Sequence, residues 1–229
     1  MKAVVIVLSI IAFIACLLIG LQAGSGSLKI TDPTHFSSTP SPLPSSTQRT
    51  ILIILTDDLQ DSKPRLAGLW TVIYRLDTPR LMLVPLYPAN NADELVSSFS
   101  LVDNRSLHPA FLKAVQNYHF AWNGYILIDQ SGAEQFLGFL GGDAPKPALI
   151  MPWEQWDDAL PSQTTLGKAI CARLKKQSSQ LDLKPVLEGL ASAHFRSQIS
   201  FNDLIQDWKT LTQDQGEFDC EFPSILPDK

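Results

Sequence analysis

Residues 3–23, AVVIVLSIIAFIACLLIGLQA, carry no charge after Lys2, and only Ser9 and Gln22 among them are clearly polar. A helix of about 20 apolar residues spans the hydrocarbon core of a bilayer, whereas the apolar region of a secretory signal runs about 7–15 residues. The stretch therefore reads as a retained single-pass transmembrane helix rather than a cleaved signal. Leu21-Gln22-Ala23 is a poor cleavage site because Leu21 is not small. Cys16 follows Phe13-Ile14-Ala15 in a faint lipobox pattern, but apolar residues continue past it. It reads as a small hydrophobe inside the membrane helix.

After the apolar run comes GSGSLKITDPTHFSSTPSPLPSSTQR, which is rich in Ser, Thr and Pro. Such a segment cannot bury enough apolar surface to offset its own ordering and serves as a semi-extended spacer. The expected organisation is an anchor at 1–24, a linker at 25–49, a globular domain at 50–213 and a tail at 214–229. The domain is expected on the extracytoplasmic side of the cell membrane. That orientation rests on Lys2 and the amino terminus, the positive groups that precede the span.

About 180 residues remain for the globular part, enough for one α/β domain with a sizeable core. The formal net charge of −5 excludes a phosphate-backbone binder with a basic face, so no nucleic-acid partner is expected. Cys171 and Cys220 both fall in the exported part. In an oxidising compartment they can pair and tie the tail to a helix; two isolated thiols is the equal alternative. No CxxC and no metal-type Cys/His spacing is present.

The order of elements sets the fold class. TILIILT at 50–56 is a β-branched apolar run ending in the acidic loop DDLQD, the form of a buried strand. Strands at 66–76 and 80–86 flank Asp77 and Pro79, which suit a hairpin turn. Ser106 is expected to cap a helix with Pro109 in its first turn, and a strand at 122–129 follows. Ser131 is expected to open the next helix, and PALIMPW (147–153) to add a short edge segment. Helices at roughly 163–177, 183–194 and 201–212 complete the chain. Asp182 caps the second, and Ser200 with Asp203 caps the third. Early strands, late helices and one hairpin give an α/β domain, α+β in its layering, with a central β-sheet flanked by helices.

The chemistry-bearing residues are sparse. There is no GxSxG elbow, Walker loop, dinucleotide glycine fingerprint or HExxH. His35, His108, His119 and His194 are scattered and read as capping or half-exposed residues rather than catalytic ones. Asp57, Asp58 and Asp61 follow the first strand, at the edge where α/β sheets place ligands. Asp57 and Asp58 are the candidate Mg²⁺ ligands, since Mg²⁺ needs only one or two protein carboxylates. The competing reading is a solvated turn, with Lys63 and Arg65 either contacting phosphate or balancing charge. Trp153 and Trp156, among Glu154, Asp157 and Asp158, form either a sugar-stacking platform or a staple of the loop to the core.

PAFLKAVQNYHFAWNGYILIDQSGAEQFLGFLGG (109–142) is the stretch through which the chain resembles the LytR–CpsA–Psr (LCP) family. These are membrane-anchored bacterial proteins that join wall glycopolymers to peptidoglycan from polyprenyl-pyrophosphate carriers. In that family a helix leads into a hydrophobic strand ending in aspartate, then into a helix ending in LGG. TILIILTDD with its following hairpin (50–86) and LKPVLEGLASAHFRSQISFNDLIQDWKTL (183–211) are also similar, so the resemblance covers most of 50–212. It rests on pattern more than on invariant motifs.

The departures bear on function. Asp57 or Asp58 can fill the role of the aspartate that ends the family's first strand. Where the second strand opens with an Arg-Ser-Asp-Thr type motif, this chain has Leu66-Ala67-Gly68-Leu69. Where the third ends in Ile-Pro-Arg-Asp, it has Leu86-Tyr87-Pro88. After the Gly-Gly the family carries several arginines that grip pyrophosphate, and only Lys168 and Arg173 can stand in. Losing one such donor typically raises a barrier by ~2.7–4 kcal/mol, so losing several should abolish turnover.

The resemblance thus implies an LCP-like domain, non-catalytic, that binds a polyprenyl-linked glycan, a wall polymer or an envelope partner, with Lys63, Tyr87, Trp153 and Trp156 as candidate ligand contacts. The alternatives are a divergent phosphotransferase using Mg²⁺ on Asp57 or Asp58 with Lys63, Arg65, Lys168 or Arg173, and a structural anchor domain of a membrane complex. Convergence of Asp58, Arg65 and Arg173 on an apolar tunnel mouth would favour the transferase. The anchor makes its own prediction. Alkaline carbonate should leave the full-length chain in the membrane fraction, and N-terminal sequencing should not find a mature terminus at Gly24.

Overall fold

A computed structural model describes residues 47–78, 80–89, 92–103, 106–141, 150–177, 181–190, 193–213 and 219–223. The apolar run at 3–23 lies outside them. Among the described residues no helix is long and apolar enough to cross a membrane.

Strand β1 (Gln48–Thr56) is the centre of a six-stranded sheet in the order β7-β6-β1-β2-β3-β8. It runs antiparallel to β2 (Leu66–Arg75), which returns through a hairpin into β3 (Arg80–Tyr87). On its other side β1 pairs in parallel with β6 (Gly124–Asp129), from Ile51↔Gly124 to Thr56↔Asp129. The parallel pairing needs a crossover. It passes through α1 (Asp93–Ser98), a small hairpin of β4 (Leu101–Val102) and β5 (Ser106–Leu107), and α2 (Pro109–Gln116).

The helix expected from Ser106 starts later because Ser106 and Leu107 pair with β4. His108 is its cap instead, with its ring nitrogen accepting from the Ala110 N–H. A residue before proline is held extended, and His108 has φ −65° and ψ 139°. The cap expected at Ser131 is also displaced. β6 passes without a loop into α3 (Gln130–Phe139), and Asp129 accepts from the Gly132 N–H at 2.8 Å.

Helix α4 (Trp156–Gln177) begins earlier than the expected 163 and carries Pro161 inside it. Asp157 and Asp158 in its first turn favour that earlier start through the helix dipole. Residues 150–153, expected to help form an edge segment, pair with no strand. Helix α5 (Leu183–Gly189) stops short of the expected 194. Beyond it Phe195–Ser197 form β7, antiparallel to β6. A three-residue strand carries no readable period, so it is invisible in sequence.

The caps expected for the last helices are present. Asp182 accepts from the Lys184 N–H, and Ser200 and Asp203 bond reciprocally at the start of α6 (Phe201–Gln213). Residues 219–221, read as tail, form β8 (Asp219–Glu221), parallel to β3.

The alternation along β1 divides the core into two layers. Leu52 and Ile54 face Phe111, Val115 and Leu95 of α2 and α1. Leu55 faces Leu137 of α3, Leu166 of α4 and Leu187 of α5. Burial on both faces explains why the sequence reads as an unbroken apolar run rather than an alternating one.

Cys171 of α4 and Cys220 of β8 form a disulfide across 49 positions of chain, with Cα atoms 6.2 Å apart. It fastens the edge strand to the helical layer. Cys220→Ser should lower the unfolding free energy by about 2–4 kcal/mol, read as a fall in the urea midpoint. Dithiothreitol should lower the wild-type midpoint and leave the variant unchanged.

Candidate functional site

The helices α3 to α6 do not close completely on the sheet. Between them lies a cavity of about 300 Å³. Ile51, Ile53 and Leu55 of β1 form its floor, with Ile126 and Ile128 beside them and Leu166, Ile170 and Leu174 of α4 above. Because β1 and β2 are antiparallel, the cavity follows the strand direction, from Trp70 at one end to Tyr74 at the other. Four residues of strand span about 13 Å.

Polar side chains meet the cavity at its two ends. At the Trp70 end Gln163 is 3% exposed. Its Oε1 accepts from the Trp70 indole N–H at 2.8 Å, and its Nε2 donates to the Ala67 carbonyl at 2.8 Å. Gly68 makes this possible, because a Cβ there would lie 2.5 Å from Gln163 Oε1. At the Tyr74 end the phenol donates to Asp207 Oδ2 at 2.6 Å, and Arg49 Nε lies 3.6 Å from the same oxygen. Burial, reinforced by the hydrogen bond to Asp207, pushes the Tyr74 phenol well above the ordinary tyrosine range.

The residues singled out in the sequence are placed around, rather than in, this cavity. Asp57 Oδ2 takes the Arg65 Nε–H at 2.8 Å, and its Oδ1 takes the backbone N–H groups of Asp58 and Arg65. Arg65 also stacks on Trp153, 4.0 Å from the ring centroid. Trp156 packs edge-on against Tyr87, with centroids 5.6 Å apart. Tyr87 is 4% exposed and belongs to the core. Its expected role as a ligand contact is therefore corrected. Trp153 and Trp156 stay 38% and 43% exposed, so both staple the 150s loop and remain accessible.

Lys63 is exposed in the acidic loop, where its N–H bonds Asp61. That bond is the main reason the Asp61 carboxyl titrates below its usual range. Lys168 Nζ is 6.0 Å from the Phe222 ring. On α4, Lys168 and Arg173 lie about 7 and 15 Å beyond Gln163 along the axis, toward the disulfide. Asp58, Arg65 and Arg173 do not converge on one mouth.

The candidate metal pair is corrected as well. Asp57 is taken up by Arg65 and two backbone donors, while Asp58 comes together with Asp129 and His194, their ligand atoms within 4.8 Å of one another. The donors already on Asp129 do not fit Mg²⁺. Its Oδ1 accepts from Gly132, and its Oδ2 from the Leu59 N–H at 3.1 Å and from His194 Nδ1 at 2.8 Å. Asp129, 1% exposed, spends both oxygens on holding the acidic loop, β7 and α3 together. Gly132 permits the close packing, since a Cβ there would meet the His194 carbonyl oxygen at 2.4 Å.

Asp129, His194, Gln163 and the Tyr74–Asp207 pair were not singled out as site residues in the sequence. The one readable sign was an aspartate closing an apolar strand. The others become neighbours only through pairings 65, 96 and 133 positions apart.

No protein-family model matches the sequence, and no curated protein does. Solved structures do. TagV of Bacillus subtilis is 11% identical with a TM-score of 0.52, over 77% of this chain and 84% of that one. TagT bound to LIIa-WTA is 9% identical at 0.51, over 82% of each chain. The fold is that of LytR–CpsA–Psr proteins. A putative transcription regulator from Eubacterium siraeum is 14% identical with a TM-score of 0.54, over 86% of this chain and 89% of that one. At these identities the likeness is one of fold.

Because Tyr74 keeps its proton where a free tyrosine ionises, near pH 10, the native state binds more protons than the unfolded chain above that pH. Stability should therefore be fully present below about pH 10 and fall as pH rises beyond it. Urea midpoints between about pH 9 and 11 should decline in the wild type and decline less in Tyr74→Phe.

Proposed function

We propose that this chain is a membrane-anchored, extracytoplasmic LCP-type domain that takes the apolar chain of a polyprenyl-type envelope lipid into its cavity and carries out no phosphotransfer. The cavity between the sheet and α3–α6 is the observation that supports it most directly. Its walls are Leu, Ile, Val and aromatic side chains, and an apolar cavity with its few polar groups at the ends suits a chain molecule. The TagT structure of this fold is a complex with LIIa-WTA, and we carry over a lipid-borne wall glycopolymer as the ligand class.

Phosphoryl transfer proceeds by stabilising charge on the transferred group with positioned cations. Among the described residues Arg65 is committed to Asp57 and Trp153, and Lys168 and Arg173 sit far along α4 from the acidic loop. Tyr87, at the position where the family resemblance calls for an arginine, is buried and uncharged. A pyrophosphate at the acidic loop would meet Asp57, Asp58 and Asp61 without a cationic clamp.

The full chain, purified from membranes in amphipol, should retain a polyprenyl lipid in native mass spectrometry. Incubated with a polyprenyl-pyrophosphate sugar and Mg²⁺ or Mn²⁺, it should release no phosphate. Turnover that disappears in the Asp57→Ala/Asp58→Ala double variant would replace this reading with a divergent transferase.

A further inference from the structure

We infer that a lipid chain lies in the cavity with its polar head at the Arg49–Asp207–Tyr74 rim and its apolar tail against Gln163, so that the head leaves the domain at the end of the sheet opposite the acidic loop. This deepens the lipid reading above and rests on it.

The two ends of the cavity differ in access and in hydrogen-bonding capacity. At the Trp70 end Gln163, Ala67, Ala159 and Met151 are all buried, the least buried of them 6% exposed. Both halves of the Gln163 amide are spent on Trp70 and Ala67, so a head group placed there would find neither water nor a partner. The indole N–H of Trp70, the other polar atom at this end, is spent on the same glutamine. An apolar chain end meets no such cost.

The opposite end reaches solvent. The Asp207 and Arg49 side chains keep 18% and 33% exposure, and Leu81 and Leu204 around them are half-buried. The register fixes which end this is. Tyr74 stands opposite Arg49 at the start of β1, whereas Gly68, beneath Gln163, stands opposite Leu55 at its finish. Asp207 adds the second argument. One Oδ takes the Tyr74 hydroxyl, and a carboxylate has two oxygens with about four acceptor sites, so the rim can accept from a lipid hydroxyl. The Arg49 guanidinium beside it donates, and the two together suit a polar head better than a buried glutamine with no bond to spare.

The occupant that fits is a single-chain isoprenoid amphiphile about as long as the strand stretch it covers. Leaving one buried hydroxyl without a partner at the closed end sets a preference of about tenfold or more for the rim orientation. The probe is geranylgeraniol carrying a diazirine at its head end, photolysed with the full chain in amphipol. Adducts are located by fragment-ion sequencing. The expected result is adduct on residues 47–51, 72–76 and 204–213, about tenfold above that on 55–70 and 156–166. The reverse distribution, or equal labelling of both ends, overturns the orientation while leaving the lipid reading intact. If native mass spectrometry finds no probe retained before photolysis, the lipid reading fails, and the orientation falls with it.

Discussion

The central strand β1 has no face left for water, and the rest of the domain is arranged around that fact. Its even-numbered residues meet α1 and α2, its odd-numbered ones meet the cavity and α3–α6, and its edges are taken by β2 and β6. A strand buried on both sides must have every backbone group paired, which forces partners on both edges. The parallel partner β6 then demands a crossover, and α1, the β4–β5 hairpin and α2 supply it while covering one face. Removing the apolar run at 50–56 would leave neither layer with a floor.

Asp129 shows how one buried carboxylate substitutes for a loop. It ends β6, caps α3, accepts from the acidic loop through Leu59 and orients His194 beside β7. A fully buried charge is tolerated when its oxygens are this fully bonded. The same saturation is what makes it a poor metal ligand. A carboxylate that fixes three chain segments cannot also turn toward an ion without releasing one of them. Gln163 plays a parallel role at the closed end of the cavity, filling the space above Gly68 and satisfying a strand carbonyl and an indole.

The charges near the acidic loop stabilise the protein rather than point at a ligand. Arg65 holds Asp57 and covers Trp153, which in turn places Trp156 against Tyr87. Such exposed pairs contribute modestly, about 0–1 kcal/mol each, but they fix where the 150s loop lies over the sheet. The loop in turn helps seal the Trp70 end through Met151. Ligand access is thereby moved to the far rim, where Asp207 and Arg49 meet solvent.

The sequence by itself determined the local events. It marked β1, β2, β3 and β6 through apolar runs and β-branched residues, the hairpin through Asp77 and Pro79, and the capping of the last two helices through Asp182, Ser200 and Asp203. Each of these is decided within a few residues, by hydrogen bonds or burial patterns that repeat with the element's own period. Only the tertiary structure decided the rest. The strands Phe195–Ser197 and Asp219–Glu221 are too short to carry a period and exist because β6 and β3 offer them an edge. The Gln163–Trp70 and Tyr74–Asp207 pairs span 93 and 133 positions of chain. A cavity is a property of how layers fail to meet, and no single residue encodes it.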